Sequence, residues 1–321
     1  MPEPIQFVSF RGDFETLAAV MKHSWSESRS QSLLYDENFL RSAFQYPGSS
    51  FELAPTLYID GSPAAFVAGF PRNVLLDGRP LRLLCITFWT VAAEFKGKGY
   101  GARIWMEILR RARESGYDGA INFCVDGEPS NGIVLRCGAR AGAYVSLVFS
   151  VKYLARLIRP AEARQIPANP DAVDLFLRAA ARIPGPVNLQ RVWTYEEAEW
   201  QCVRRSGALS SAHADAARCG SATGYLTEFA GETASRVLIV EDLLWGNLKS
   251  VERTQVMRNL LAQGAVRGAQ IAVAPLLGYA ETDTLRAAGF RQSRRVMNLY
   301  LTVWRDAPLP EDLTSIYLDV F

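Results

Sequence analysis

The stretch Thr87-Phe88-Trp89-Thr90-Val91-Ala92-Ala93-Glu94-Phe95-Lys96-Gly97-Lys98-Gly99-Tyr100-Gly101-Ala102 decides how the first half of this chain reads. On one side of it, Leu81 to Val91 is rich in β-branched and aromatic residues and predicts a strand. On the other, Tyr100 to Ser115 sets Ile104, Trp105, Ile108, Leu109 and Ala112 on one stripe with the charges opposite, which predicts an amphipathic helix. Gly97, Gly99 and Gly101 fall at alternate positions between the two. Glycines let a backbone come close to an anion, and successive N–H groups at the positive end of a helix can then hold it. Lys96 and Lys98 add charge at the rim. The arrangement suits a pyrophosphate.

Upstream, Leu53 to Asp60 and Ala64 to Pro71 read as strands parted by the turn Asp60-Gly61-Ser62-Pro63. Val74-Leu75-Leu76 then meets a second turn, Asp77-Gly78-Arg79-Pro80, so an antiparallel meander is expected to lead into the glycine stretch. Downstream, Gly116 stops the helix, Ala120 to Val125 reads as a strand, Pro129 to Cys137 as a helix and Ala143 to Val151 as a strand. The segment with Pro160, Pro167 and Pro170 reads as a crossing between domains. Beyond it the order recurs: strand Arg236 to Leu244, helix Val251 to Gln263, strand Ala269 to Pro275, helix Thr282 to Ala288, strand Val296 to Trp304. Gly127 to Gly138 and Gly278 to Gly289 match in length and place. The expected fold is α/β of the α+β type. It has two tandem copies of one unit, each a mixed, mostly antiparallel sheet flanked by helices, with boundaries 1–157, linker 158–172 and 173–321.

Bulk properties narrow the function. Of 321 residues, 49% are hydrophobic and 21% charged, and the net charge of +2 gives no electrostatic case for nucleic acid. Cys85, Cys124, Cys137, Cys202 and Cys219 show no CxxC spacing, and His23 and His213 are the only histidines, so neither a disulfide framework nor a metal site is expected. The start MPEPIQFVSFRGDFE has no secretory pattern and no apolar run is long enough to span a bilayer, so a cytoplasmic setting without membrane contact is expected. Nothing in the sequence sets the oligomeric state.

Three readings of the glycine stretch compete. An ordinary strand–helix connection would not need three alternating glycines beside lysines. A dinucleotide site fits Gly97-x-Gly99-x-x-Ala102, with Asp126 where a ribose-binding acid would stand, but that fingerprint opens a first βαβ unit rather than following a meander. In the third reading, Lys96-x-x-Gly99-x-Gly101 after a valine-ended strand resembles the signature of the GNAT superfamily of acetyl-CoA-dependent N-acetyltransferases. Lys96 stands there in place of the usual Arg or Gln. Glu128-Pro129-Ser130 and Cys137-Gly138-Ala139 resemble the family's second block, and the layout matches over residues 1 to 152.

The resemblance implies that acetyl-CoA or another acyl-CoA is bound as co-substrate. Its pantetheine arm would pair near Thr90, Val91 and Ala92, and its pyrophosphate would lie over Lys96, Gly97, Lys98, Gly99, Tyr100, Gly101 and Ala102. The acceptor would be a primary amine of a small molecule or peptide. The family's general acid, a tyrosine four residues before the second-block glycine, corresponds here to Val134. The carboxylates nearest the expected cleft are Asp126, Glu128 and Glu94, the candidates for a base. Trp25 and Tyr35, within His23-Ser24-Trp25-Ser26-Glu27 and Tyr35-Asp36-Glu37, are candidates for the acceptor side. In the second half the corresponding turn falls at Gly246-Asn247-Leu248-Lys249-Ser250, where the glycine spacing is gone, so a degenerate copy is expected. Two other readings stay open: a non-catalytic acyl-CoA-binding module and, behind it, a nicotinamide-dependent enzyme.

Overall fold

Two short turns set up the first sheet. Asp60 and Gly61 have φ of 51° and 82°, and Asp77 and Gly78 have 47° and 81°. Two consecutive residues at positive φ make the hairpin turn whose twist matches that of the flanking strands, and Asp-Gly is well suited to it. The computed structural model describes residues 6–26, 33–167, 169–183, 185–229, 235–304 and 313–319. In chain order it opens with β1 (Val8–Ser9), α1 (Phe14–Ser26), β2 (Leu33–Leu34), α2 (Glu37–Ala43), β3 (Pro55–Ile59), β4 (Ser62–Leu76) and β5 (Arg79–Val91). β3, β4 and β5 form the expected antiparallel meander, with β4 one continuous strand across Pro71. Next come α3 (Tyr100–Glu114), β6 (Gly119–Val125), α4 (Pro129–Arg140) and β7 (Ala143–Leu157). β6 runs parallel to β5.

The remaining elements are α5 (Ala172–Ala180), β8 (Leu189–Val192), α6 (Tyr195–Glu199), β9 (Ala208–Ala214), β10 (Cys219–Phe229), β11 (Ser235–Leu244), α7 (Ser250–Val266), β12 (Ile271–Leu276), α8 (Asp283–Ala287), β13 (Arg291–Trp304) and β14 (Ile316–Tyr317). The chain divides into two compact units: Met1–Ser150 with Val296–Leu313, and Val151–Arg295 with Thr314–Val320. In the first, residues 297–303 of β13 pair antiparallel with the whole length of β6, from Met297 opposite Val125 to Val303 opposite Gly119. In the second, β9, β10 and β11 are antiparallel, β12 is parallel to β11, and residues 152–157 of β7 pair antiparallel with β12. Each unit is a mixed, mostly antiparallel sheet flanked by helices. The change of unit falls inside β7 and β13, an exchange that a contiguous cut at 157/158 does not contain. Ile158 donates its N–H to Gln270 at 2.8 Å and Arg156 pairs with Glu162 at 2.6 Å, so the proline-bearing segment starts out tied into the second unit.

The first unit's sheet has two unlike faces, because side chains alternate along a strand. Ala65, Val67, Leu84, Ile86, Ala120 and Cys124 meet Ile104, Trp105, Ile108 and Leu109 of α3, Val134 and Cys137 of α4, and Tyr300 of β13. Burying Trp105 alone removes roughly 200 Å² from water, worth about 5 kcal/mol before entropy is counted. The opposite face is aromatic: Phe66 meets Phe10, Phe70 meets Phe44, and Phe10 meets Phe14 and Phe51, at centroid distances of 5.2–5.6 Å. Among the described residues, no helix is long and apolar enough to cross a membrane.

Candidate active site

β5 and β6 pair in parallel from Leu83 opposite Gly119 to Ile86 opposite Asn122, and the register ends there. Past that row β6 continues beside β13, while β5 continues beside β4 through a bulge, Thr87 opposite Ala68 but Thr90 opposite Phe66. At the bulge Phe88 adopts φ 57°. A bulky residue there is strained by about 1–3 kcal/mol and needs surroundings that hold it. Tyr35, Phe39 and Phe70 supply them, with ring centroids 5.1, 6.4 and 6.0 Å from that of Phe88. The strands therefore part at Ile86/Asn122, and β5 from Thr87 onward keeps a backbone edge to which an extended group can add as a strand does. Thr90 and Ala92 are buried on that arm, Thr90 donating to the Phe88 carbonyl at 3.1 Å and the Ala92 N–H to Ala64 at 2.9 Å. Val91 is half-buried.

The arm ends in the glycine turn. A short 3₁₀ turn, Ala93–Phe95, leads to Gly97 at φ 77° and to Gly99, the N-cap of α3, at φ 80°. A Cβ at either glycine would meet nothing within 4 Å, so the glycines serve backbone conformation and leave the outer side clear for an anion. At Gly101 the atoms nearest a Cβ would be those of Val91 and Trp89, at 3.6–3.8 Å, ordinary van der Waals contact. The N-cap of the 15-residue α3 has no side-chain hydrogen bond and its first turn carries no acid, which leaves the positive end of the helix for a phosphate. Lys98 Nζ lies 4.8 Å from the centre of the Phe95 ring. Lys96 Nζ donates to the Ser24 carbonyl at 2.7 Å, so this rim lysine also ties the turn to the end of α1.

The candidate carboxylates are spread around the fork. Glu94 is exposed on the 3₁₀ turn. Glu128 is the N-cap of α4, half-buried, with no side-chain cap bond. Asp126 is exposed just past β6; its N–H donates to Val296 at 3.1 Å and its Oδ1 accepts from Asn298 Nδ2 at 2.9 Å. Asn298 also donates to Asn131 Oδ1 at 3.1 Å, and the same oxygen accepts from Tyr300 Oη at 2.9 Å. Asn131 in turn donates to the Val125 and Glu128 carbonyls at 2.8 Å. Asn122, in the last row before the fork, is 2% exposed; its Nδ2 meets Cys124 Sγ at 3.2 Å, while its Oδ1 accepts no hydrogen bond among the described residues. Burial pushes the Cys124 thiol up to about 11, which makes it a packing group and not a nucleophile. Val134 is fully buried in the helix-side core.

On the aromatic face, Trp25 and Tyr35 meet edge to face at 5.6 Å, and Tyr35 stacks on Phe39 at 4.7 Å. The two candidate acceptor-side residues are thus joined to one another and, through Phe88, to the fork. Glu27 lies outside the described residues. Sequence reading missed Phe88, Asn122, Asn131, Asn298 and Tyr300. The alternation Asn298, Tyr300, Thr302 was visible, but not that this strand returns to β6. In the second unit His213, Asp215 and Glu252 bring potential ligand atoms within 4.8 Å of one another, but Arg218 already neutralises both acids, at 2.5 and 3.1 Å.

The sequence of residues 14–139 matches the model of the acetyltransferase (GNAT) family. Structures of Saccharomyces cerevisiae N-myristoyltransferase with bound myristoyl-CoA superpose on the chain with TM-scores of 0.74 and 0.70 at 13% and 14% identity, covering 99% of this chain and 83% and 88% of theirs. A third, with myristoyl-CoA and inhibitors, gives 0.71 at 14% identity and covers 86% of that chain. No curated protein sequence matches the chain. The forked strands, the bulge and the bare glycine-led helix end all lie within the segment, residues 14–139, that matches the acetyltransferase (GNAT) family model, and the likeness to the solved structures over the whole chain is one of fold.

Proposed function

We propose that the first unit transfers an acyl group, acetyl in the first instance, from acyl-CoA to a primary amine of a small molecule or peptide. The observation that carries this reading is the continuity of the open β5 edge with the bare end of α3. One extended, pyrophosphate-bearing molecule fits both. Thr90, Val91 and Ala92 would pair with its amide-bearing arm. The backbone from Lys96 to Ala102 would hold its phosphates, with Lys98 adding charge. Asn122 Oδ1, a buried acceptor level with the fork, suits an N–H of that arm. The thioester supplies an activated carbonyl. The chain supplies the rest: Asp126, held by Asn298, takes the amine proton directly or through water, with Glu128 and Glu94 as the further candidates. Trp25 and Tyr35 form an aromatic wall on the acceptor side.

On this reading residues 1–157 form the acyl-CoA-binding half and 158–172 lead to a second, degenerate copy over 173–321, with β13 lent back to the first. Five free, buried cysteines are in keeping with a reducing, cytoplasmic setting. The second reading, a binding module without turnover, draws on Val134, whose buried place in the core leaves α4 without the family's acid. Calorimetry with acetyl-CoA, CoA, NAD and NADP tests the binding part. CoA species should bind, adding about 2.7 kcal/mol of stability at 100 times their dissociation constant, and the nicotinamides should not. Binding of a nicotinamide dinucleotide, with none by any CoA thioester, would overturn the assignment. Thiol release across acyl-CoAs of increasing length and a panel of amines then decides between enzyme and module.

A further inference from the structure

The register of three strands puts one phenol level with the fork. Ile86 of β5 is opposite Asn122 of β6, and Asn122 is opposite Tyr300 of β13. Tyr300 points to the helix side of the sheet, where it packs in one cluster with Val134 and Cys124. Its hydroxyl donates to Asn131 Oδ1 at 2.9 Å. Asn131 lies three residues before Val134 on α4, one turn towards the N-terminus on the same face. Side chains on a helix lean towards its N-terminus and cover the turn before their own Cα. A tyrosine at position 134 would therefore bring its hydroxyl over Asn131, where the hydroxyl of Tyr300 already stands.

Resting on the acyl-transfer reading above, we infer that Tyr300, from the returning strand, turns its one hydroxyl proton from Asn131 Oδ1, which keeps the bond from Asn298, to the sulfur that leaves the thioester, the service Val134 cannot give. The amine nitrogen forms the C–N bond to the acyl carbon, the C–S bond breaks, and the sulfur keeps the bonding pair. The amine proton passes to Asp126 or water, and the thiolate takes a proton from water. Burial, with Cys124 and Asp126 nearby, holds the Tyr300 phenol above its ordinary value, so the hydroxyl stays protonated and acts by donation and not by giving its proton away.

The test needs no knowledge of the acceptor. CoA bound to the full-length protein is titrated with alkali while thiolate absorbance is followed, in wild type and Tyr300→Phe. A donor at the sulfur lowers the bound thiol's pKa below its free value of about 8.5. Removing the hydroxyl should return it upward by about one unit, with CoA affinity unchanged within about twofold. The Cys124 thiol, at about 11, titrates outside this window. With any accepted amine, Tyr300→Phe should lower kcat about 30-fold and leave KM for acyl-CoA in place, which a loosened fold would not do. The same bound-thiol pKa in both proteins, or an unchanged kcat, would overturn the inference while leaving the acyl-transfer reading standing. A wild type that binds no CoA would instead remove that reading itself.

Discussion

In the first unit β5 and β6 pair from Leu83/Gly119 to Ile86/Asn122 and then part; in the second, β11 and β12 pair from Val237/Ile271 to Ile239/Val273 and then part. Beyond those rows the two units differ in every feature a ligand would use. The first has a bulged strand edge and a helix that opens on Gly99 without a side-chain cap. In the second, the Leu243 N–H donates to Tyr279 Oη at 2.8 Å and that hydroxyl faces the Glu241 carbonyl at 3.5 Å, with the Tyr317 ring tilted against it at 4.8 Å. A tyrosine of the chain itself satisfies the strand edge. Helix α7 is closed as well: the Lys249 N–H donates to Glu252 at 2.7 Å, which places a carboxylate at the helix end an anion would seek. A parallel fork is thus only a frame. Whether it binds depends on which backbone groups the protein leaves unsatisfied.

The comparison is most exposed at its glycines. Gly99→Val puts a β-branched side chain at φ 80° on the outer side of the turn. Losing two charge-assisted N–H bonds to a pyrophosphate should weaken CoA on the order of 10³-fold in calorimetry, while the fold survives. Gly246 presents the opposite case. Its φ is 49°, but a Cβ there would stand 2.3 Å from the Cys219 carbonyl oxygen, so the glycine serves the protein's own backbone. Gly246→Ala should lower the melting temperature and leave CoA affinity intact. Equal loss of CoA affinity from both variants would end the distinction between the forks.

Tyr279→Phe tests the sealed edge. It removes the acceptor of the buried Leu243 N–H and should cost about 2 kcal/mol in denaturant unfolding. CoA stoichiometry should stay at one per chain, because the capped α7 still repels an anion. A second equivalent of CoA binding to this variant would show that Tyr279 alone had been holding a competent site shut.

What could be read from residue order is what local chemistry decides. Asp60-Gly61, Asp77-Gly78, the Ile104-to-Ala112 stripe and the Gly97/Gly99 spacing each act over a few residues, and each stands where expected. Positive φ at Phe88 was not legible, because it depends on rings from Tyr35, Phe39 and Phe70. The site's amides and phenol were hidden for a related reason. Val296 to Trp304 reads as a strand in any context, but its pairing with β6 joins positions more than 170 residues apart, which no periodicity specifies. Lys96 shows the limit from the other side: its charge was evident, its bond to Ser24 was not.

The smallest expected effect concerns the acids behind the sealed fork. Asp242 is fully buried, and burial, with Glu241 and then Asp319 nearby, pushes its carboxyl up to about 7. Thr223 and Gln201 donate to one of its oxygens and Tyr317 to the other, while Arg205 pairs with Glu241; Cys202 and Tyr279 complete the titratable surroundings. Between an unfolded value of about 3.8 and the folded value, the native chain holds a proton that the unfolded chain has released. Stability from this group is therefore complete below the lower value and lost as pH rises through the upper one. From pH 6 to pH 8 the linkage amounts to about 1.4 kcal/mol, lost with rising pH. Asp242→Asn keeps a carbonyl for Thr223 and Gln201 and cannot ionise, so its unfolding free energy should stay flat across that window. A variant that keeps the slope would assign it to another group, whereas a wild type equally flat there would mean that the acids behind the second fork are ionised together and held by Arg205. That fork would then enclose a buried cluster of charges balanced by Arg205, and would no longer be the inert counterpart of the first.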